Sequence, residues 1–236
     1  MSKHIFSFYF FHEKKILNTL EIKKESELFH RLIVVLRYKV SDIFSIFTES
    51  YFYTCNIKEI TKQKIICTII ETHEIAFNKK KITAYIPLLE KEYLSQVLYT
   101  CGQEQIDEIF FVKTDLCHIK KLEQNDFDRF KKITIAGCEQ AKQYKIPTIK
   151  TEILSIEKIN FTNLYFFSES STNTIANIIP LSRNNIGFFC GPEAGLTVEE
   201  EKVLKTYSAH SINLGKNILR SRDVLSFAAI FFRSLT

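Results

Sequence analysis

The spacing of apolar residues changes character once along this chain. Up to about residue 72 they fall in short runs broken by polar turns. Residues 5–11 and 16–22 read as two strands joined by the polar turn 12–15. Ser26 then stands where a helix cap is needed, and Phe29, Leu32, Ile33 and Leu36 recur at helical spacing. Three more strand-like runs follow at 42–48, 51–60 and 64–72. Short strands at this spacing predict a small all-β barrel.

Beyond residue 72, strands alternate with helices, the pattern of an α/β domain with a parallel sheet. Strands are predicted at 81–87, 106–113, 164–168, 186–190 and 209–214, and helices at 90–101 and 123–144, the second stopping ahead of Pro147. A last helix at 220–235 buries Leu225, Ala228, Ala229 and Phe232. The change of pattern and the lysine run Lys79-Lys80-Lys81 divide the chain into domains at 1–74 and 75–236. There is no internal repeat and no low-complexity tract.

Composition narrows the class. At 45% hydrophobic, 236 residues can bury a sizeable core. No apolar run approaches the roughly 18 residues of a membrane span. The run at 5–11 is aromatic, is closed by His12-Glu13-Lys14-Lys15 and lacks a small-residue cleavage site, so it reads as a core strand and not a signal peptide. Six cysteines form no CxxC pair and no Cys/His cluster, which predicts reduced, mostly buried thiols of a cytoplasmic protein and no metal site. The net charge of +5 suits a polyanion such as RNA, although a Lys-, Ile-, Asn- and Phe-rich composition of genomic origin produces the same balance.

Two segments near the C-terminus carry the candidate chemistry. Cys190-Gly191-Pro192-Glu193-Ala194-Gly195-Leu196-Thr197 and Leu214-Gly215-Lys216-Asn217-Ile218-Leu219-Arg220 each follow a strand and open into a helix. Glycine-bearing turns of this kind present bare backbone groups to a small polar ligand. Thr197 with Glu200 makes a capping box, and Glu199, Glu200 and Glu201 suit the positive end of the helix dipole. A helix N-terminus can hold phosphate. Here, however, the first turn is acidic and there is no Gly-Lys-Ser/Thr loop, so a cation fits better.

These two segments resemble the cofactor loops of the SPOUT methyltransferases, and most closely those of the small-subunit (16S) rRNA uridine-N3 methyltransferase family. Two further stretches extend the resemblance along most of the chain. One is His30-Arg31-Leu32-Ile33-Val34-Val35-Leu36-Arg37 with Lys39-Val40-Ser41-Asp42; the other is Ile133-Thr134-Ile135-Ala136-Gly137-Cys138-Glu139-Gln140 with Lys145-Ile146-Pro147. The resemblance implies a PUA-like β-barrel RNA-binding domain followed by a trefoil-knotted SPOUT domain, against the general rarity of knotted chains. It implies S-adenosylmethionine as cofactor, lined by Ser168, Glu169, Cys190, Gly191, Gly195, Leu214, Gly215, Ile218 and Leu219. It implies RNA contacts at His30, Arg31 and Arg37. It also implies a homodimer that acts in the cytoplasm on 16S rRNA of the small ribosomal subunit, with no membrane partner.

For such a reaction the uridine N3 proton must leave and the resulting charge must be stabilised. Arg220, directly after the second loop, is the candidate cation. Its structural alternative is a salt bridge to Glu193 or Asp223. Glu193 is a candidate base, and Glu169 a second one. Val35 and Leu36 are expected to be structural.

The chain departs from the family pattern at several points. Ser41 stands for a turn glycine, and Lys3 and His4 stand where the family has N-terminal arginines. Cys101-Gly102-Gln103, Leu116, Gln143 and Arg222 replace family residues around the site. Two alternatives therefore stay open: a non-catalytic RNA-binding or ribosome-assembly factor that keeps the fold, and a SPOUT methyltransferase with another RNA target.

Overall fold

The computed structural model describes residues 5–76, 80–160, 162–177 and 185–235. Lys3, His4 and Lys79 of the boundary run lie outside them. The chain divides into two compact units, Met1–Phe77 and Asn78–Thr236.

The first unit holds β1 (Ser7–Tyr9), β2 (Thr19–Lys23), a short helix α1 (Glu27–His30), β3 (Ile43–Phe47), β4 (Tyr51–Ile60) and β5 (Lys64–Glu74). Its sheet runs in the order β1-β3-β4-β5-β2. The two N-terminal strands therefore do not pair with each other; they take opposite ends of the order. Alternation sets the inward face, with Leu20 and Ile22 buried and Thr19, Glu21 and Lys23 exposed on β2. The core gathers Phe8, Leu32, Phe44, Ile46, Tyr53, Ile57 and Ile65. The Tyr53 hydroxyl reaches the backbone N–H of Ile16 at 3.0 Å, so its one polar atom is satisfied inside.

Ser26 caps α1 by accepting the Phe29 N–H at 3.2 Å, as its position predicts. Over Arg31–Val35 the backbone then winds more widely, and the Leu36 N–H bonds to the Arg31 carbonyl five residues back. The wider turn shifts side chains off the α-helical stripe. Leu32 stays fully buried and Leu36 packs on the core, but Val35 is 61% exposed. The expected structural role of Val35 is thus corrected. Ser41, at the position of the family's turn glycine, has φ +74°. Its backbone is clamped there, its N–H on the Ile57 carbonyl at 2.8 Å and its carbonyl on Asn56 Nδ2 at 3.1 Å. A side chain in this region costs about 1–2 kcal/mol, so the glycine's backbone shape persists without the glycine.

In the second unit six strands form one parallel sheet: β6 (Ile82–Pro87), β7 (Glu108–Lys113), β8 (Thr148–Ser155), β9 (Leu164–Phe167), β10 (Ile186–Cys190) and β11 (His210–Ile212). Their order is β11-β9-β10-β6-β7-β8. β10 lies at the centre and all five of its residues are buried, as a strand covered on both faces requires. The helices are α2 (Lys91–Gln103), α3 (Gln124–Ala141), α4 (Val198–Thr206) and α5 (Ser221–Ser234). One core layer joins Phe188, Ile82 and Ile109 to Leu94 and Leu98 of α2, Phe130 of α3 and Leu225 and Phe232 of α5. The opposite layer joins Phe189, Phe166 and Val112 to Leu204 of α4.

The pattern reading missed β8. It is an edge strand paired only with β7, and its polar Thr148, Lys150, Thr151 and Glu152 conceal the strand signal. Asp107, 4% exposed, accepts the Ile82 N–H at 2.8 Å and pairs with Lys145 and, at 3.5 Å, Arg233. This buried cluster ties the entry to the sheet to the ends of α3 and α5.

Candidate active site

Because every strand of the second unit runs the same way, all the carboxyl ends lie along one edge, where parallel sheets place their ligand sites. The ends of β9, β10 and β11 surround a cavity of about 430 Å³. Three turns form its walls: Ser168-Glu169-Ser170 after β9, Gly191 to Leu196 after β10, and Asn213 to Leu219 after β11, with Ser221 and Val224 of α5 closing it. Ser168, Glu169, Cys190, Gly191, Gly195, Leu214, Gly215, Ile218 and Leu219 all line this one cavity, as does Glu193.

Local chemistry sets each turn. Gly195 has φ +80° and donates its N–H to the Pro192 carbonyl at 2.8 Å, closing the bend after β10. Gly215, at φ +118°, donates its N–H to Asn213 Oδ1 at 2.7 Å. The Asn213 amide in turn donates to the carbonyls of Glu169 at 2.8 Å and Ser171 at 3.2 Å, tying the third turn to the first. Nothing in the local pattern marked Asn213, because its partners lie over forty residues away.

The Thr197–Glu200 capping box is present in both directions, at 3.2 and 2.9 Å. The other oxygen of Glu200 accepts the Asp115 N–H at 2.8 Å, which holds the loop after β7 against the start of α4.

Glu201, one residue on, was read only as part of an acidic helix start, yet it lines the cavity. It accepts from Ser168 Oγ at 2.7 Å, Ser170 Oγ at 3.1 Å and Lys205 Nζ at 3.1 Å. Burial pulls its pKa up, but the hydrogen bonds from Ser168, Lys205 and Ser170 prevail and hold it below the ordinary 4.5. A carboxylate depressed in the fold contributes stability that is complete above the unfolded value and is lost as pH falls through the folded one. Glu201→Gln is therefore expected to flatten the acid limb of the stability profile and to cost about 1–2 kcal/mol at neutral pH. Thermal melts from neutral pH down through about pH 4 test this; an acid limb identical to wild type would show that the network contributes nothing.

Cys190 forms part of the wall. Burial pushes its thiol up to about 12, although Ser221 hydrogen-bonds to it, so it is an inert surface and not a nucleophile. All six cysteines are free and buried. Among the described residues, no cluster of His, Cys, Asp and Glu could hold a metal. Among the described residues, the cavity walls carry three carboxylates, Glu169, Glu193 and Glu201, and no lysine or arginine. A phosphate would be repelled there, and a cation tolerated.

Arg220 caps α5 with its backbone, its carbonyl accepting the Asp223 and Val224 N–H groups at 2.9 and 3.1 Å. Its side chain is exposed beside the wall residue Leu219, and the salt bridge to Glu193 or Asp223 is absent among the described residues. Asp223 lies instead 3.5 Å from Arg222. Arg222 stacks on the Tyr93 ring of α2 at 4.5 Å and does not line the cavity. Of the residues that the resemblance assigned to RNA, His30 and Arg37 are exposed on the first unit. Arg31 lies over the Phe8 ring at 4.6 Å.

The second unit is an α/β domain with an acidic cavity built from backbone turns at the ends of its parallel strands. The chain belongs to the RNA methyltransferase domain family, whose model matches residues 77–230. A protein of Rickettsia conorii (strain ATCC VR-613 / Malish 7) named "Ribosomal RNA small subunit methyltransferase E" is 28% identical over 200 residues, covering 81% of this chain and 80% of that one. The fold is shared with a ribosomal RNA small subunit methyltransferase E from Neisseria gonorrhoeae bound to S-adenosyl methionine, with a TM-score of 0.82, 19% identity and 98% of each chain covered. A methyltransferase from Legionella pneumophila in complex with SAM matches with a TM-score of 0.79 and 19% identity, over 99% of this chain and 97% of that one.

Proposed function

We propose that this protein transfers the methyl group of S-adenosylmethionine to N3 of a uridine in 16S rRNA of the small ribosomal subunit. The observation that carries this reading is the cavity enclosed by backbone turns after β9, β10 and β11, whose described lining is acidic and without lysine or arginine. Its volume suits a ligand of nucleoside size. Bound there, the cofactor supplies an electrophilic methyl group on a sulfonium.

The chain's own groups do the rest. Bare backbone at Gly191, Gly195 and Gly215 lets an adenosyl group lie against the main chain. Glu169, Glu193 and Glu201 favour a positively charged ligand over a phosphate. Cys190, Leu214 and Val224 keep the inner wall apolar. A uridine N3 keeps its proton at neutral pH, so Glu193 at the rim, or Glu169, takes it. Arg220 then stabilises the negative charge shared with the uracil oxygens. The base must be unpaired or turned out of a helix for N3 to be reached.

The mixed five-stranded sheet of the first unit supports a PUA-like barrel as the RNA-gripping domain, with His30, Arg31 and Arg37 as its contacts. The pairing of β11 with β9, and not with its predecessor β10, supports a trefoil knot at the cavity. The outer face of α5, where Phe227 and Ile230 are exposed, supports a homodimer through that helix. Among the described residues no helix is long and apolar enough to cross a membrane, in keeping with action on ribosomal particles in the cytoplasm.

The test is methyl transfer from labelled S-adenosylmethionine to small subunits, immature and mature, with the product nucleoside mapped by mass spectrometry. One uridine methylated at N3 is expected. Cofactor binding without transfer would favour an RNA-binding assembly factor, and a methyl group on another atom or RNA would point to a different target.

A further inference from the structure

A second cleft, of about 680 Å³, opens on the same edge of the sheet at the ends of β7 and β8. Lys113, Lys120 and Lys158 line it, together with Asp115 and Ser155. Lys113 ends β7 and sits in register with Ser155, the last residue of β8. Lys158 lies on the short turn that follows, and Lys120 is held by donating to the Cys117 carbonyl at 2.8 Å.

These three lysines share one cleft without a carboxylate partner among the described residues. Lys91, Lys121, Lys145, Lys150 and Lys205 of the same unit each have a carboxylate within 4 Å. Lys113, Lys120 and Lys158 have none among the described residues. One carboxylate, Asp115, lines the cleft against the three ammonium groups. Glu157 is near in sequence, and its hydrogen bond from the Ser155 side chain and its own backbone hold it ionised. The cleft is therefore the electrostatic opposite of the acidic cavity, and it repels what that cavity accepts.

The two sites are mechanically joined. The loop after β7 that carries Asp115 donates its N–H to Glu200, the residue that caps α4 beside the cavity. In the strand order, β7 and β8 lie two and three places from β10. At about 4.8 Å per strand, the cleft begins roughly 10–14 Å from the end of β10, a span that one RNA strand can bridge.

We propose that this cleft binds a backbone phosphate of the RNA strand whose target base docks at the rim of the acidic cavity. This rests on the proposed function, and it adds a positioning site on the catalytic unit that is independent of the first unit. The phosphate fixes where the strand runs and leaves base choice to other contacts.

The test uses the full chain carrying Lys113→Gln and Lys158→Gln, both exposed positions, with Lys113→Arg and Lys158→Arg as the charge-keeping control. Binding to small-subunit RNA is measured across a salt series, alongside cofactor affinity and thermal melts. The Gln variant should bind RNA more weakly, with the slope of log affinity against log salt reduced by about 0.7, the value of one phosphate contact on a single strand. Cofactor affinity and melting should be unchanged, and the Arg variant should regain the wild-type slope. A wild-type slope in the Gln variant of a protein that does methylate RNA overturns the phosphate site alone. A wild-type protein that neither binds nor methylates RNA overturns both this site and the function on which it rests.

Discussion

Gly137→Ala should lower stability by about 3 kcal/mol or more, although the same change at an exposed helix position would raise it by up to about 1 kcal/mol. The opposite signs make the experiment decisive. A methyl group at Gly137 would lie 2.2 Å from the Tyr99 carbonyl oxygen, and one at Gly102 would lie 2.1 Å from that of Thr134. Both obstacles are backbone, which cannot rotate away as a side chain can. Helices α2 and α3 therefore cross with their main chains almost touching. Cys138 Sγ donates to the Gly102 carbonyl at 3.4 Å at the crossing, and the Gln103 and Gln140 side chains hydrogen-bond across it. At about 2–4 °C per kcal/mol for a chain of this size, the melting temperature should fall by roughly 6–12 °C. A rise in melting temperature would show that the helices do not approach this closely.

The second large effect is on turnover. Arg220→Ala is expected to reduce methyl transfer about 10²–10³-fold, the usual loss when one donor to a developing negative charge is removed. Cofactor affinity and melting temperature should hardly change. The side chain is exposed, forms no ion pair among the described residues and does not line the acidic cavity. Arg220→Lys should recover part of the rate, since it keeps the charge but not the planar fork. Single-turnover assays together with cofactor titration separate the cases. An unchanged rate in the Ala variant would remove Arg220 from the chemistry, and a loss of cofactor affinity would make it a binding residue instead.

How much could be read in advance depended on the range of the interactions. The strands β6, β7, β9 and β10 were legible because each is a compact, largely apolar run packed in the sheet. The edge strand β8 was not, since one of its sides faces solvent and its polar residues mimic a loop. The Thr197–Glu200 capping box and the glycine bends were legible because their partners lie within three residues. Val35 was misread because a wide turn, fixed by packing beneath Leu32, rotated it outward. The Glu139-Gln140 pair drew attention on α3, whereas the residue that governs the crossing is Gly137, two positions earlier.

The candidate site divides along the same line. Its glycines, its acidic helix start and the chemistry that they favour were visible as a pattern, and the nine residues singled out for a ligand do share one cavity. Asn213 as the tie between two turns, Glu201 as a wall residue gripped by Ser168 and Ser170, and the lysine cleft beyond β7 were invisible.

From the chain alone came the alternation of strand and helix, the bends that must contain glycine, and the preference of the acidic helix start after Thr197 for a cation. These rest on hydrogen bonds and backbone angles that span a few neighbouring residues. The order β11-β9-β10-β6-β7-β8, the convergence of three distant turns on one cavity and the grouping of lysines at the ends of β7 and β8 came only from the tertiary structure. The physical reason is that strand order is decided by side-chain packing between segments tens of residues apart, and no local pattern records which strands become neighbours.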